Sequence, residues 1–120
     1  MHELSIAQSI VDIVEQYVPD GREGAVESVH IRVGQLAGVV PESLEFCFSA
    51  IVSDTPLSGA RLDIERVATK SRCTACDESF LIERPAFRCP SCGGSELKLI
   101  SGTELQVVEI QLKEERVETV

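Results

Sequence analysis

Four cysteines are the residues best suited to chemistry. They form two pairs, Cys73-Thr74-Ala75-Cys76 and, twelve residues later, Cys89-Pro90-Ser91-Cys92, the second followed by Gly93-Gly94. Zinc prefers four tetrahedral ligands and binds thiolates at about 2.3 Å. A tight Cys-x-x-Cys turn delivers two sulfurs to one metal, and two such turns joined by a hairpin-length linker supply all four corners. Gly93 and Gly94 suit the turn after a ligand, because glycine enters backbone conformations closed to other residues. The spacing therefore predicts one structural Zn2+ ion held by Cys73, Cys76, Cys89 and Cys92. Four sulfur ligands leave no open coordination position, so catalysis by that ion is not expected. The alternative is a pair of redox dithiols. A thioredoxin-like dithiol would place one Cys-x-x-Cys at the start of a helix in a βαβ setting, and this segment has no helical period. So short a segment buries little surface, and a metal would supply much of its folding energy.

Three further groups could bind or react. Cys47 falls on the apolar face of a predicted helix and reads as a buried structural thiol. His30 falls on the polar face of a predicted strand and reads as a solvated residue. At the chain start, Met1-His2-Glu3 places an imidazole beside a terminal amine and backbone amide nitrogens, which together chelate one ion through small rings. A planar, nitrogen-rich donor set suits Ni(II) or Cu(II) better than zinc or magnesium. An exposed histidine near a frayed end is the plain alternative.

The elements that must position these groups are legible from periodicity. Ile6, Ile10, Ile13, Val14 and Tyr17 share one helical face over residues 4–18, and Pro19-Asp20-Gly21 ends the pattern. Residues 27–33 alternate, with Val29, Ile31 and Val33 on one side and Ser28, His30 and Arg32 on the other, which predicts a half-buried strand. Pro41 is well placed as a first helical residue, and Leu44, Cys47, Phe48 and Ile51 follow at helical spacing. Residues 61–67 alternate again, and a third strand is expected over 105–112, its phase slipping between Val107 and Val108 as at a bulge. The expected class is α+β: a three-stranded sheet with two helices on one face. The cysteine segment sits between the last two strands as an inserted, zinc-ribbon-like unit. The domain reading is discontinuous, 1–70 with 101–120, interrupted by 71–100.

Composition narrows the function. The chain has 120 residues and is 43% hydrophobic, with 4% aromatics and no Trp, so its core must be aliphatic and too small to enclose a large substrate cavity. The formal charge is −9: residues 1–70 carry 11 acids and 5 bases, 71–100 four of each, and 101–120 five acids and two bases. Nucleic-acid binding draws much of its affinity from phosphate neutralisation, and no basic footprint exists here. No basic and apolar leader opens the chain and no apolar run is long enough to span a bilayer, so a cytoplasmic protein without a membrane segment is expected. No Ser/His/Asp set or Gly-rich phosphate loop is present, and an enzyme is not expected.

The opening Met-His-Glu-Leu-Ser, the stretch Val33-Gly34-Gln35-Leu36, the stretch Pro41-Glu42-Ser43-Leu44 with Phe46 and Phe48, and the two Cys-x-x-Cys pairs occur in one order along almost the whole chain. In this it resembles the HypA/HybF family of hydrogenase nickel-incorporation proteins. The resemblance implies a nickel metallochaperone. It makes His2 the key Ni2+ ligand, assisted by the Met1 amine and backbone nitrogens and supported by Glu3, with the four cysteines on structural zinc. It also implies two partners, a nickel-binding GTPase of hydrogenase maturation and the large-subunit precursor of a [NiFe] hydrogenase, with urease served in some organisms. A homodimer is compatible with the reading. The competing readings are a zinc-ribbon protein-interaction module without nickel transfer and an enzyme using a dithiol.

Overall fold

The computed structural model describes residues 3–82, 87–113 and 116–119. In chain order the elements are α1 (Glu3–Tyr17), β1 (Val26–Gly34), α2 (Pro41–Val52), β2 (Arg61–Val67), β3 (Lys70–Cys73), β4 (Ser79–Leu81), β5 (Leu97–Ser101), β6 (Leu105–Leu112) and β7 (Arg116–Glu118).

The buried face of α1 is built from Ala7, Ile10, Val11 and Val14, with Val18 just past its end. This face is turned about 70° around the helix from the one that the large residues mark, at 100° per residue. Ile6 and Ile13 are left half-buried, and Tyr17 faces solvent at 46% exposed. The small Ala7, which carries little hydrophobic weight in a pattern, is fully buried. α2 starts at Pro41, whose missing N–H is no loss in a first turn. It buries Leu44, Phe48 and Val52.

The main sheet has the order β2-β1-β6-β7. β1 runs parallel to β2 because α2 carries the chain across between them, and antiparallel to β6. Val29, Ile31 and Val33 of β1, Leu62 of β2, and Val107, Ile110 and Leu112 of β6 join the buried residues of both helices in one aliphatic core. His30 and Arg32 face the other way, where both pair with Glu65 of β2, at 3.0 and 3.2 Å. The expected bulge is present: the β6 partners of His30 and Ile31 are Glu109 and Val107, leaving Val108 as the extra residue. The α+β class and the two helices stand as expected, but the sheet has four strands and not three. The fourth, β7, pairs with β6 through Arg116, Val117 and Glu118.

The cysteine segment folds as a second, antiparallel sheet of order β4-β3-β5. The molecule is elongated, measuring 56 × 26 × 17 Å along its principal axes.

Candidate metal centre

Cys73 closes β3, Cys76 lies in the turn toward β4, and Cys89 and Cys92 lie in the loop before β5. Each cysteine pair forms the same turn. The Cys73 carbonyl accepts from the Asp77 amide at 2.8 Å, and the Cys89 carbonyl accepts from the Gly93 amide at 2.9 Å. The residue after the second cysteine is left-handed in both, with φ +64° at Asp77 and +73° at Gly93. Glycine enters that region freely and Asp is among the few other residues that tolerate it. The Arg72 guanidinium pairs with the Asp77 carboxylate. Thr74 ties the two turns together, its backbone N–H and its hydroxyl both donating to the Glu96 carbonyl at 2.9 Å.

The turns aim all four sulfurs at one point. Cys73 Sγ lies 3.5 Å from Cys92 Sγ, and Cys76 Sγ lies 3.5 Å from Cys89 Sγ. All four sit within 4.8 Å of one another. A tetrahedral zinc site with 2.3 Å bonds has sulfur–sulfur edges of about 3.8 Å, so the spacing fits that ion. Cys73 and Cys89 are buried, whereas Cys76 and Cys92 are exposed. The Gly94 amide points at Cys92 Sγ at 3.4 Å, and a Cβ on Gly94 would come within 3.2 Å of that sulfur and 3.8 Å of Cys73 Sγ. The two glycines after the second pair therefore serve different needs, Gly93 for its left-handed φ and Gly94 for room around the sulfurs.

The thiols titrate unevenly. The amides of Cys92 and Ser91 pull Cys89 down to about 7, against its burial. At Cys76 the Glu78 amide pulls down, but hydrogen bonding with Cys89, burial and the sulfurs of Cys73 and Cys92 together push it up to about 12. Cys92 is likewise raised, the Gly94 amide being outweighed by its sulfur neighbours and burial. Four crowded sulfurs cannot all become anionic without a cation among them. A divalent ion of soft preference supplies that charge, which is the chemistry of a thiolate metal site.

Of the other predicted groups, Met1 and His2 lie outside the described residues. Glu3 is the first residue of α1 and is half-buried. Cys47 is half-buried against the core, not fully buried as expected, because it lies at the edge of the α2 face that Leu44 and Phe48 centre. His30 is partnered: its Nε2–H donates to Glu65, since an ionised carboxylate can only accept. That bond, with Arg32 assisting, holds the Glu65 carboxyl below its usual range.

The model of one protein family, described as "Hydrogenase/urease nickel incorporation, metallochaperone, hypA", matches residues 1–112. The chain belongs to the HypA family. Among its relatives, the hydrogenase maturation factor HypA of Desulfosudis oleivorans is 47% identical over 115 residues, covering 95% of this chain and 100% of the relative. The HypA of Geobacter metallireducens is 43% identical over 113 residues, covering 94% and 100%. The fold also matches the solution structure of the Ni metallochaperone HypA from Helicobacter pylori, with a TM-score of 0.63 at 18% identity, over 93% of this chain and 97% of that one. A second solution structure of a HypA protein gives 0.68 at 19% identity, over 96% and 98%. These two likenesses bear on fold alone. HypA is a metallochaperone family, and this member carries a four-cysteine cluster able to hold a metal. No helix among the described residues is long and apolar enough to cross a membrane.

Proposed function

We propose that this protein is a nickel metallochaperone. It binds Ni2+ at its N-terminus and helps insert it into the large-subunit precursor of a [NiFe] hydrogenase. The observation that carries the reading is membership of a nickel-incorporation family over residues 1–112, a span that includes both the Met1-His2-Glu3 start and the four cysteines. In this reading His2 is the key nickel ligand, the Met1 amine and backbone nitrogens complete a planar set, and Glu3 supports it. The first N–H groups of a helix have no intrahelical partner, and Glu3 opens α1, which is compatible with backbone nitrogens serving there.

Cys73, Cys76, Cys89 and Cys92 would hold a structural zinc ion, whose part is to fix the fold of the segment around it. Residues 1–70 with 101–120 are then the nickel-binding α+β domain, and 71–100 the zinc-binding one. The protein passes nickel on without making or breaking bonds in a substrate, and works in the cytoplasm with a nickel-binding GTPase. Urease is a second client that the family description supports. A homodimer is compatible with this role, and light scattering of the zinc-loaded chain would decide it.

The test is delivery. In a strain lacking its own member of the family, the native chain should restore nickel content and activity of the hydrogenase, and His2→Ala should not. Restoration by His2→Ala to the native level would refute an N-terminal nickel site. Failure of the native chain together with intact zinc loading would favour a zinc-ribbon interaction module.

A further inference from the structure

Two short connections join the sheets: Ala68-Thr69 from β2 to β3, and Gly102-Thr103-Glu104 from β5 to β6. Two peptide links alone would let the sheets swivel. Both are instead met by the end of β1 and the two residues that follow it. The Gly34 N–H donates to the Glu104 carbonyl at 2.7 Å, the Gln35 N–H to the Val67 carbonyl at 2.9 Å, and the Leu36 N–H to the Gly102 carbonyl at 2.7 Å. The Gly34 and Leu36 amides thus bind carbonyls of the β5–β6 connection, and the Gln35 amide binds the last residue of β2. The Gln35 side chain adds two more bonds, its Oε1 accepting from the Thr69 N–H and the Thr69 hydroxyl, each at 3.1 Å. Thr69 is buried, and the Ser101 hydroxyl donates to the Ala68 carbonyl at 2.9 Å, tying the end of β5 to the β2–β3 connection.

The fit leaves no slack. A Cβ at Gly34 would collide with the Gly102 carbonyl and stand 2.6 Å from the Glu104 nitrogen. A Cβ at Gly102, where φ is +121°, would lie 2.9 Å from the Thr69 Cα.

We propose that the Gly34–Leu36 segment, with Gln35 as its side-chain pin, is a lock that holds the cysteine-bearing sheet in fixed orientation to the four-stranded sheet. A partner protein then meets the two as one rigid surface. Gln35 and Thr69 are positioning residues in this device and touch no metal. The lock does not depend on nickel binding at the N-terminus.

The test is 15N relaxation on the full-length, metal-loaded chain, comparing local correlation times of β1 and β6 with those of β3 and β5. The native protein should give one common value. Gln35→Ala should lose that common value, the cysteine-bearing sheet reorienting faster while metal content and the chemical shifts of the helices stay native. Gln35 acts only as an acceptor here, so Gln35→Glu, which keeps an acceptor oxygen in place, should restore the common value. Separate values already in the native chain, one value retained in Gln35→Ala, or no rescue by Gln35→Glu would each overturn the proposal. Should Gln35→Ala lose its core, Thr69→Val carries the same test. It removes the hydroxyl donor and leaves the backbone donor, and an unchanged common value in that variant overturns the lock.

Discussion

Removing the metal should unfold the cysteine-bearing sheet and leave the rest standing. Among the described residues of 70–101, the only buried hydrophobic side chains are Cys73 and Cys89, two of the proposed ligands. Phe80, Ile82 and Leu97 are half-buried, and Leu81, Phe87, Leu99 and Ile100 face solvent. Full burial of such a side chain stabilises by about 1.5–3 kcal/mol, so three at half burial contribute about 3 kcal/mol together. A structural zinc site in a small unit contributes an apparent ~10–16 kcal/mol near neutral pH. The metal outweighs the apolar term several-fold, and without it this sheet has too little to hold it. The four-stranded sheet has its own core, with Ala7, Val14, Val29, Leu44, Ile110 and Leu112 at 0% exposure. Excess chelator should therefore collapse the amide dispersion of Ser71, Thr74, Leu97 and Lys98 in a 1H–15N spectrum and leave that of Val29, Ile31 and Ile110 in place. Cys92→Ala should reproduce the same split. Persistent dispersion at Thr74 and Leu97 in protein shown by mass analysis to be metal-free would refute the reasoning. Loss of the Ile110 signal together with them would show that the two sheets fold as one unit.

Other outcomes follow from the same geometry. Gly34→Ala forces the Gly102 carbonyl away, disturbing two backbone hydrogen bonds worth about 0.5–1.5 kcal/mol each, on top of overpacking worth about 1–3 kcal/mol. Urea denaturation should show a loss of about 2–6 kcal/mol, and a loss below about 0.5 kcal/mol would contradict the close approach. Cys47→Ala, at a half-buried site away from the cluster, should destabilise by about 1–2 kcal/mol and leave zinc content unchanged, which metal analysis with thermal melts would check. Acid should strip the metal. Cys76 and Cys92 hold their protons well above neutrality in the metal-free cluster, and Cys89 takes up its own below about 7. Binding must then displace the protons of Cys76 and Cys92 at neutral pH, and that of Cys89 as well below about 7. Apparent zinc affinity should fall as the pH falls, and more steeply below about 7 where Cys89 is protonated too, measured by competition with a chelating dye between about pH 6 and 8.

Much of this molecule was legible before its fold was known, because long elements advertise their buried faces. Val29, Ile31 and Val33 marked the buried side of β1, although Ser28 opposite them is buried too, and the slip at Val107 and Val108 announced the bulge. α1 was legible as a helix but not in its rotation, since Ala7 is too small to weigh in a pattern and Tyr17 is large enough to mislead. β7 left no signal because three residues on an edge are held by backbone pairing, with only Val117 half-buried. The strands of the cysteine-bearing sheet are three to five residues long and mostly solvent-facing, so the sulfurs and not an apolar face specify them. The four cysteines announced their own convergence through spacing. The contacts of Gly34 with Gly102 and of Gln35 with Thr69 join residues far apart in the chain, and no local pattern encodes them. Likewise, nothing in the alternation of His30 pointed to Glu65 as its partner across the parallel pair.

Nickel binding at the chain start is the central claim, and isothermal titration of zinc-loaded protein with Ni2+ tests it most directly. The native, untagged chain should take up one Ni2+ at its N-terminus, where a free amine, an imidazole and the first amides of a helix would together offer a nitrogen-rich donor set. Uptake should weaken steeply as the pH falls toward about 6, since the amine and the imidazole must both give up protons. His2→Ala should lose the site with zinc content and fold unchanged, and so should a chain extended at its N-terminus, where the amine has become an amide. Equal nickel uptake by the native, extended and His2→Ala forms would contradict the account.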